Sequence, residues 1–198
     1  MVTEVITEPS VEPVTLAELK TFLRGIDYAT HDDLLNQHIE QARQILEKKI
    51  GRAFVQQTRA AYFKSWPERA FTLPYPPLQS VTSVVYTDVD GAPTTWSADN
   101  YTVLTKSEPG QVVLGYQKVW PTATLYADEY PIKITYVCGY EASSDSPADY
   151  RANIPAAIKY GIESECALYY DDMPSAKREA FRRAVDNVIM IYRMWSFG

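Results

Sequence analysis

Helical periodicity runs at both ends of this chain and stops in between, and that order limits the fold more than anything in the composition. Leu35, Ile39, Ala42, Leu46 and Ile50 recur at three- and four-residue steps and make one apolar stripe. Asp32 and Asp33 suit the positive end of such a helix, Thr30 is placed to cap it, and Gly51 stands where a left-handed terminal residue belongs. Upstream, Thr15 and Glu18 have the spacing of a capping box, with Val14 and Leu19 at the staple positions. A short helix is expected there, running to about Arg24 and stopped by Gly25. At the other end Asn153 is placed to cap a third helix with Pro155 in its first turn. Ile158, Ile162, Cys166 and Tyr169 share one face of it, and Asp171-Asp172-Met173-Pro174 ends it. Ser175 opens a last helix in which Phe181, Val185, Val188, Tyr192 and Trp195 alternate four- and three-residue steps, a seam suited to packing on another helix.

Between the helical ends the texture changes to short runs rich in Val, Thr, Tyr and Phe, separated by Pro, Gly, Asp and Asn. Strands are expected at Thr58–Lys64, Ala70–Leu73, Val81–Thr87, Tyr101–Thr105, Gln111–Leu114 and Ile132–Val137, with Asp90-Gly91 as a hairpin turn. Pro74, Pro76 and Pro77 bar any continuation of the second strand. Neither helical pair is large enough to be a domain alone. The expected fold is therefore α+β: a four-helix core made of N-terminal and C-terminal helix pairs, with a β-rich insertion between them. The corresponding boundaries are an extended N-terminal arm at 1–13, a helical core at 14–52 and 150–198, a β-rich insertion at 53–140 and a linker loop at 141–149.

Residue types narrow the chemistry. The net charge of −6 supplies no basic footprint for phosphates, which argues against sequence-specific DNA binding but allows an acidic lining past which DNA slides. His31 and His38 are the only histidines, seven residues apart on one helix, where a metal pair would need four; both read as surface residues. Asp32-Asp33 and Asp171-Asp172 are neighbours near helix ends, unlike two carboxylates held across a cleft. Cys138 and Cys166 belong to no metal or redox spacing and read as small buried hydrophobes. No nucleophile elbow, P-loop or dinucleotide fingerprint occurs. No catalytic residue, metal or cofactor is expected. Nothing resembles a signal peptide or a membrane span, so no membrane partner and a reducing cytoplasm are expected during synthesis. The 15 Tyr, 6 Phe and 4 Trp suit either a protein–protein contact surface or the margins of a β-rich core.

The last helix carries Lys177, Arg178, Arg182, Arg183 and Arg193 against Glu179 and Asp186. A solvated face, a basic surface meeting an acidic partner, and direct DNA contact all fit that pattern.

Four stretches carry a family resemblance: Pro13-Val14-Thr15-Leu16-Ala17-Glu18-Leu19-Lys20; the second helix ending Gly51-Arg52; Leu73-Pro74-Tyr75-Pro76-Pro77-Leu78-Gln79-Ser80-Val81; and Ile132-Lys133-Ile134-Thr135-Tyr136 followed by Gly139-Tyr140. Ser107-Glu108-Pro109-Gly110 and Trp120-Pro121 lie between them in order, and Ile154-Pro155-Ala156-Ala157-Ile158 follows. Together they resemble the head–tail connector (adaptor, or head-completion) proteins of long-tailed bacteriophages, in the version with a β insertion, which also occur in prophages and gene transfer agents. The resemblance spans about residues 13–170. It implies a structural virion protein at the head–tail junction, assembled in the host cytoplasm. It implies a ring of about twelve copies beneath the portal protein, connecting capsid to tail through a stopper or tail-terminator protein. DNA would pass through the channel without sequence-specific binding. It also implies that the C-terminal segment Tyr192-Arg193-Met194-Trp195-Ser196-Phe197-Gly198 reaches the portal, with Trp195 and Phe197 as anchors; alternatively, Trp195 completes the four-helix core. Lys177, Arg178, Arg182 and Arg183 are the candidate basic partner face. Rival functions are a tail or baseplate carbohydrate-binding module, with exposed Trp66, Trp96 and Trp120 stacking on sugars, a DNA-packaging protein, and an acidic-site hydrolase.

Overall fold

A computed structural model describes residues 1–23, 31–127, 130–169 and 174–194. The chain divides into two compact units: Ser10–Val55 with Tyr140–Gly198, and Met1–Pro9 with Gln56–Gly139. The first is helical and the second is β-rich, so the architecture is α+β, with four α-helices among the described residues and a β-rich segment between the helical pairs in sequence.

The helical unit holds α1 (Leu16–Phe22), α2 (Asp32–Ile50), α3 (Ala156–Leu168) and α4 (Ser175–Tyr192). Both halves of the capping box are made: the Glu18 backbone N–H donates to Thr15 Oγ1 at 3.1 Å, and the Thr15 N–H donates to the Glu18 carboxylate at 2.6 Å. Val14 and Leu19 are buried in the core that this staple leads into. The α2 stripe is buried along its whole length, and Gly51 ends the helix at φ 74°, a conformation costly for any residue with a Cβ. Thr30, the expected cap of α2, and Arg24 and Gly25, the expected end of α1, lie outside the described residues, as do Asp171, Asp172 and Met173.

Aliphatic side chains fill this core: Leu35, Ile39, Leu46 and Ile50 from α2 meet Ile158 and Ile162 from α3 and Val185 and Val188 from α4. Charged groups are taken inside as well, and Arg43 enters with its partners. Arg43 donates to Glu12 at 2.8 Å and to Glu47 at 3.3 Å, and Glu47 also accepts the Phe54 N–H at 2.7 Å. A charge removed from water needs such partners, and Glu47 thereby anchors the chain where it leaves α2. Asn153 does not cap α3. Pro155 takes the cap position, and the Asn153 side chain donates to the Glu141 and Ala142 carbonyls instead, so it closes the preceding loop.

Among its described residues the β unit has eight antiparallel strands: β1 (Val2–Thr7), β2 (Gln57–Phe63), β3 (Ala70–Leu73), β4 (Leu78–Thr87), β5 (Pro93–Trp96), β6 (Tyr101–Leu104), β7 (Gly110–Leu114) and β8 (Ile132–Cys138). Five form a sheet in the order β1-β2-β8-β4-β5, and three form a second in the order β3-β7-β6. Central β8 alternates strictly, with Ile132, Ile134, Tyr136 and Cys138 buried, as a strand with one core-facing side must. Within the stretch expected as an extended arm, Val2–Thr7 pairs with β2 at the sheet edge. The Asp90-Gly91 turn joins β4 to β5, with Asp88 Oδ1 accepting from the Asp90 and Ala92 N–H groups.

Trp66, Trp96 and Trp120 do not form an exposed platform. They pack on one another with centroids 5.1–5.5 Å apart, and on Phe71, Tyr86 and Tyr101. Trp96 is buried and the other two half-buried, so the rings cover one another instead of facing water.

Candidate functional site

Among the described residues, no group of three or more His, Cys, Asp or Glu side chains could hold a metal. His31 is exposed, but the reading of His38 as a plain surface residue needs correction: it is half-buried, stacked on Tyr169 at 5.1 Å, and burial lowers its pKa. Cys138 and Cys166 are both buried and form no disulfide. Burial, with Glu165 and Glu163 adding to it, pushes the Cys166 thiol up to about 12, which leaves it un-ionised and unreactive. No described helix is long and apolar enough to cross a membrane.

The surfaces of the helical unit offer contact chemistry instead. At the end of α4 the backbone turns from helical to extended at Arg193 (φ −59°, ψ 127°). Met194 then donates its N–H to the Ile50 carbonyl at 2.9 Å, and its sulfur lies 3.5 Å from Arg52 Nη2. Met194 is thus tied to the end of α2. Tyr192 is half-buried against the core, and Arg193 is exposed. Trp195, Ser196, Phe197 and Gly198, the rest of the expected anchor segment, lie outside the described residues, so neither place considered for Trp195 is resolved.

The basic residues of α4 are not equivalent. The Lys177 ammonium sits 5.6 Å from the Phe181 ring, and Arg178 is half-buried. Arg183 pairs with Glu179 at 3.2 Å, one turn away and well exposed, a contact of little energetic weight. Arg182 is exposed and has no partner among the described residues. Further along the outward side, Met190 and Ile191 are 67% and 66% exposed, an unusual setting for two large apolar side chains in succession.

A groove lies between α1 and α3, lined by Ala17, Glu18, Thr21, Phe22 and Glu163, with a volume of about 460 Å³. Phe22 packs edge-on against Tyr160 at 5.7 Å and against Phe181 at 5.4 Å, and Tyr160 itself is 46% exposed. The two carboxylates of the groove are held apart in acidity. Burial raises the pKa of Glu163, with Glu18 adding to it and Lys159 opposing. For Glu18 burial is also the largest single influence and acts upward, but the Thr15 hydrogen bonds, with Lys159 and Arg151, outweigh it, and the pKa is lowered. Sequence reasoning missed this groove. Glu18 reads there only as a cap, and nothing in the spacing brings Glu163 to it.

Residues 13–90 match the family described as "Phage gp6-like head-tail connector protein". That stretch contains α1, α2 and β2 to β4, and with them three of the four sequence stretches that carried the resemblance. No curated protein sequence matches the chain. Three solved structures have a similar fold. A chain of the "Virion of native gene transfer agent (GTA) particle" is 16% identical with a TM-score of 0.76, and the match covers 100% of this chain and 98% of that one. The "Neck of empty GTA particle computed with C6 symmetry" gives the same values. The "Neck of native GTA particle computed with C12 symmetry" gives 15% identity and a TM-score of 0.74, with the same coverage of both chains. At that identity the likeness speaks for the fold, helices and β segment together, while the family match speaks for kind. Residues 13–90, carried on this fold, are thus similar to the phage gp6-like head–tail connector family.

Proposed function

We propose that this chain is the adaptor subunit of a phage or phage-like particle: copies of it form a ring beneath the portal, join capsid to tail, and surround the channel through which DNA passes. The observation that carries this reading is the coincidence of a connector-family match with a fold that pairs, over its full length, with components of gene transfer agent particles and their necks. Two of those necks were computed with sixfold and twelvefold symmetry, which supports a ring of about twelve. Its chemistry is assembly, without catalysis or a cofactor. The net charge of −6 suits a channel component that DNA slides past.

A head-to-tail ring needs two different faces on each subunit, each of modest area, and a templating portal raises their effective concentration. The subunit is therefore monomeric by itself and closes into a ring on the portal. The segment from Tyr192 to Gly198 is the proposed portal contact, with Trp195 and Phe197 as its anchors. A stopper or tail-terminator protein meets the opposite side. Electron-microscopy class averages of the chain mixed with its portal test the reading. A collar of copies at the portal is expected, and particles showing only bare portals and lone globules would refute it. The chain with Trp195→Ala and Phe197→Ala together should fold and lose portal affinity.

The carbohydrate-binding alternative loses its main support, since the three tryptophans it needs are packed against one another.

A further inference from the structure

We infer that β1 is exchanged in the assembled ring: the Val2–Thr7 strand of each copy leaves its own β2 and pairs with β2 of a second copy, in the register that the single chain makes with itself. The inference rests on the ring reading above and names the segment that links one subunit to the next.

Three observations lead to it. The first is how lightly β1 is held at home. It stands at the edge of the five-stranded sheet and pairs with β2 alone. None of its six residues is buried, and Val2 and Ile6 are 46% and 47% exposed. To the main-chain ladder its side chains add a hydrogen bond from the Tyr62 hydroxyl to the Glu4 carboxylate. The ladder is interrupted between Val5 and Thr7, where the strand leaves the sheet. The second is that β2 does not need β1 to keep its place. It is paired with β8 along its whole length, Gln57 to Phe63. Once β1 leaves, β2 is a sheet edge, a row of N–H and C=O groups that wants a strand.

The third is the link. Every other strand of the β unit lies in the continuous stretch Gln56–Gly139, whereas β1 joins it from across the first two helices in sequence. The connection onward is Glu8-Pro9-Ser10-Val11, and beyond it Glu12 is fixed within the helical unit. Its carboxylate accepts from Arg43 Nε and its carbonyl from Arg151 Nε, both at 2.8 Å. Pro9 and Pro13 bias Glu8 and Glu12 toward extended backbone, so the link is short and stiff. A short, stiff hinge invites strand exchange between copies.

The same ladder selects the occupant. Val2 opposite Tyr62, Glu4 opposite Ala60 and Val5 opposite Arg59 recur unchanged when the strand comes from another copy, so no new complementarity is required. The strand given and the edge that receives it are different surfaces. The contact is therefore heterologous, and a heterologous contact propagates around a ring instead of stopping at a symmetric dimer. Because the ladder lost equals the ladder gained, exchange is close to neutral for free copies, and the raised effective concentration on a portal decides it. That fits a subunit monomeric by itself and linked in the ring.

Crosslinking tests it. Val2→Cys and Tyr62→Cys, opposite each other in the ladder, are introduced together, with native Cys138 and Cys166 buried. Circular dichroism of each variant is first matched to the parent. A short bifunctional thiol crosslinker should give an internally bridged chain from the free monomer and a ladder of covalent multimers from rings assembled on the portal. An equal mixture of the two single variants should give a covalent dimer holding one of each, from rings only. In a second measurement the double variant is oxidised to its internal disulfide before portal is added, which locks the strand at home. Ring formation should fall by about tenfold or more and return on reduction. Rings that give only internally bridged chains, or a locked protein that assembles as well as its reduced form, overturn the inference and leave the ring reading intact. A parent chain that forms no collar overturns the ring reading, and this inference with it.

Discussion

The two units are filled by different means. The helical unit packs Leu, Ile and Val from repeating positions on α2, α3 and α4, with an enclosed set of charges at Glu12, Arg43 and Glu47. The β unit packs rings: Phe63, Trp66, Phe71, Tyr86, Trp96, Tyr101 and Trp120 touch in a chain of centroids 4.6–5.8 Å apart. A helix presents its apolar side chains along one stripe, so medium-sized aliphatic residues from three helices interdigitate. Short strands of four residues, such as β3, β5 and β6, offer only two inward positions each, and a few large rings cover that interior. The difference implies that each unit owns its core and should respond separately to damage.

The sharpest way to break that implication is to hollow the helical core. Leu46 is completely buried in α2, and Leu46→Ala should cost about 2–5 kcal/mol. The helical signal at 222 nm should melt at lower urea, while near-ultraviolet dichroism from the packed tryptophans holds close to the parent midpoint. If both signals shift together by the same amount, the two cores do not act separately.

The converse damage is smaller. A Cβ added at Gly110 would lie 2.4 Å from the Leu78 Cβ, a clash that no rotamer of Leu78 relieves. Gly110→Ala should cost about 1–3 kcal/mol, read in the tryptophan signal and not at 222 nm. Adding Leu78→Gly, which removes that Cβ, should give a smaller loss than the sum of the two single changes.

What the sequence disclosed follows the same division. The α2 stripe, the Thr15–Glu18 box and the Gly51 terminus were readable because each is a local pattern whose partners lie within four residues. Six strands were readable within a few residues at each end. Strand β5 was not, because Pro93 opens it and only Thr94-Thr95-Trp96 follows. The N-terminal strand was not, because Val2-Thr3-Glu4-Val5 carries a charge and gains its order from pairing with β2, more than fifty residues away. Asn153 misled because a good capping residue also closes loops well, and here it bonds back to Glu141 and Ala142. The tryptophans misled for a related reason: exposure of a ring depends on which distant rings surround it. The α1–α3 groove is likewise a product of packing, joining Glu18 to Glu163 across 145 positions of sequence.

At the margin of the helical core the expected effects shrink again. Thr15 satisfies one donor at the start of α1, and Thr15→Ala should cost about 0.5–2 kcal/mol. Thr15→Ser keeps the hydroxyl and should recover most of it. Both are measured as urea midpoints at 222 nm, and a Thr15→Ala midpoint equal to the parent's would mean that the staple of Val14 and Leu19 alone holds this end.

The smallest expected effect concerns the two carboxylates of the groove, and it has opposite signs on them. The Glu18 pKa in the folded chain lies below its ordinary value of 4.5. Its share of stability is therefore complete above that value and is lost as pH falls through the folded pKa. The Glu163 pKa is raised, so ionising it works against the folded state. Its penalty is absent in acid, grows as pH rises through the ordinary value, and is complete above the folded pKa. Glutamine keeps the side-chain oxygen that can receive the Thr15 N–H, so Glu18→Gln removes the charge with little harm to the cap. Glu18→Gln should then flatten the fall in urea midpoint below about pH 4.5, and Glu163→Gln should raise the midpoint at neutral pH and leave it unchanged in acid. Glu18 is exposed and Glu163 half-buried, so water and salt weaken the two effects, and they should fade further in high salt. If both variants move the midpoint in the same direction at neutral pH, the two groups are not differently placed, and the groove has one kind of acid rather than two.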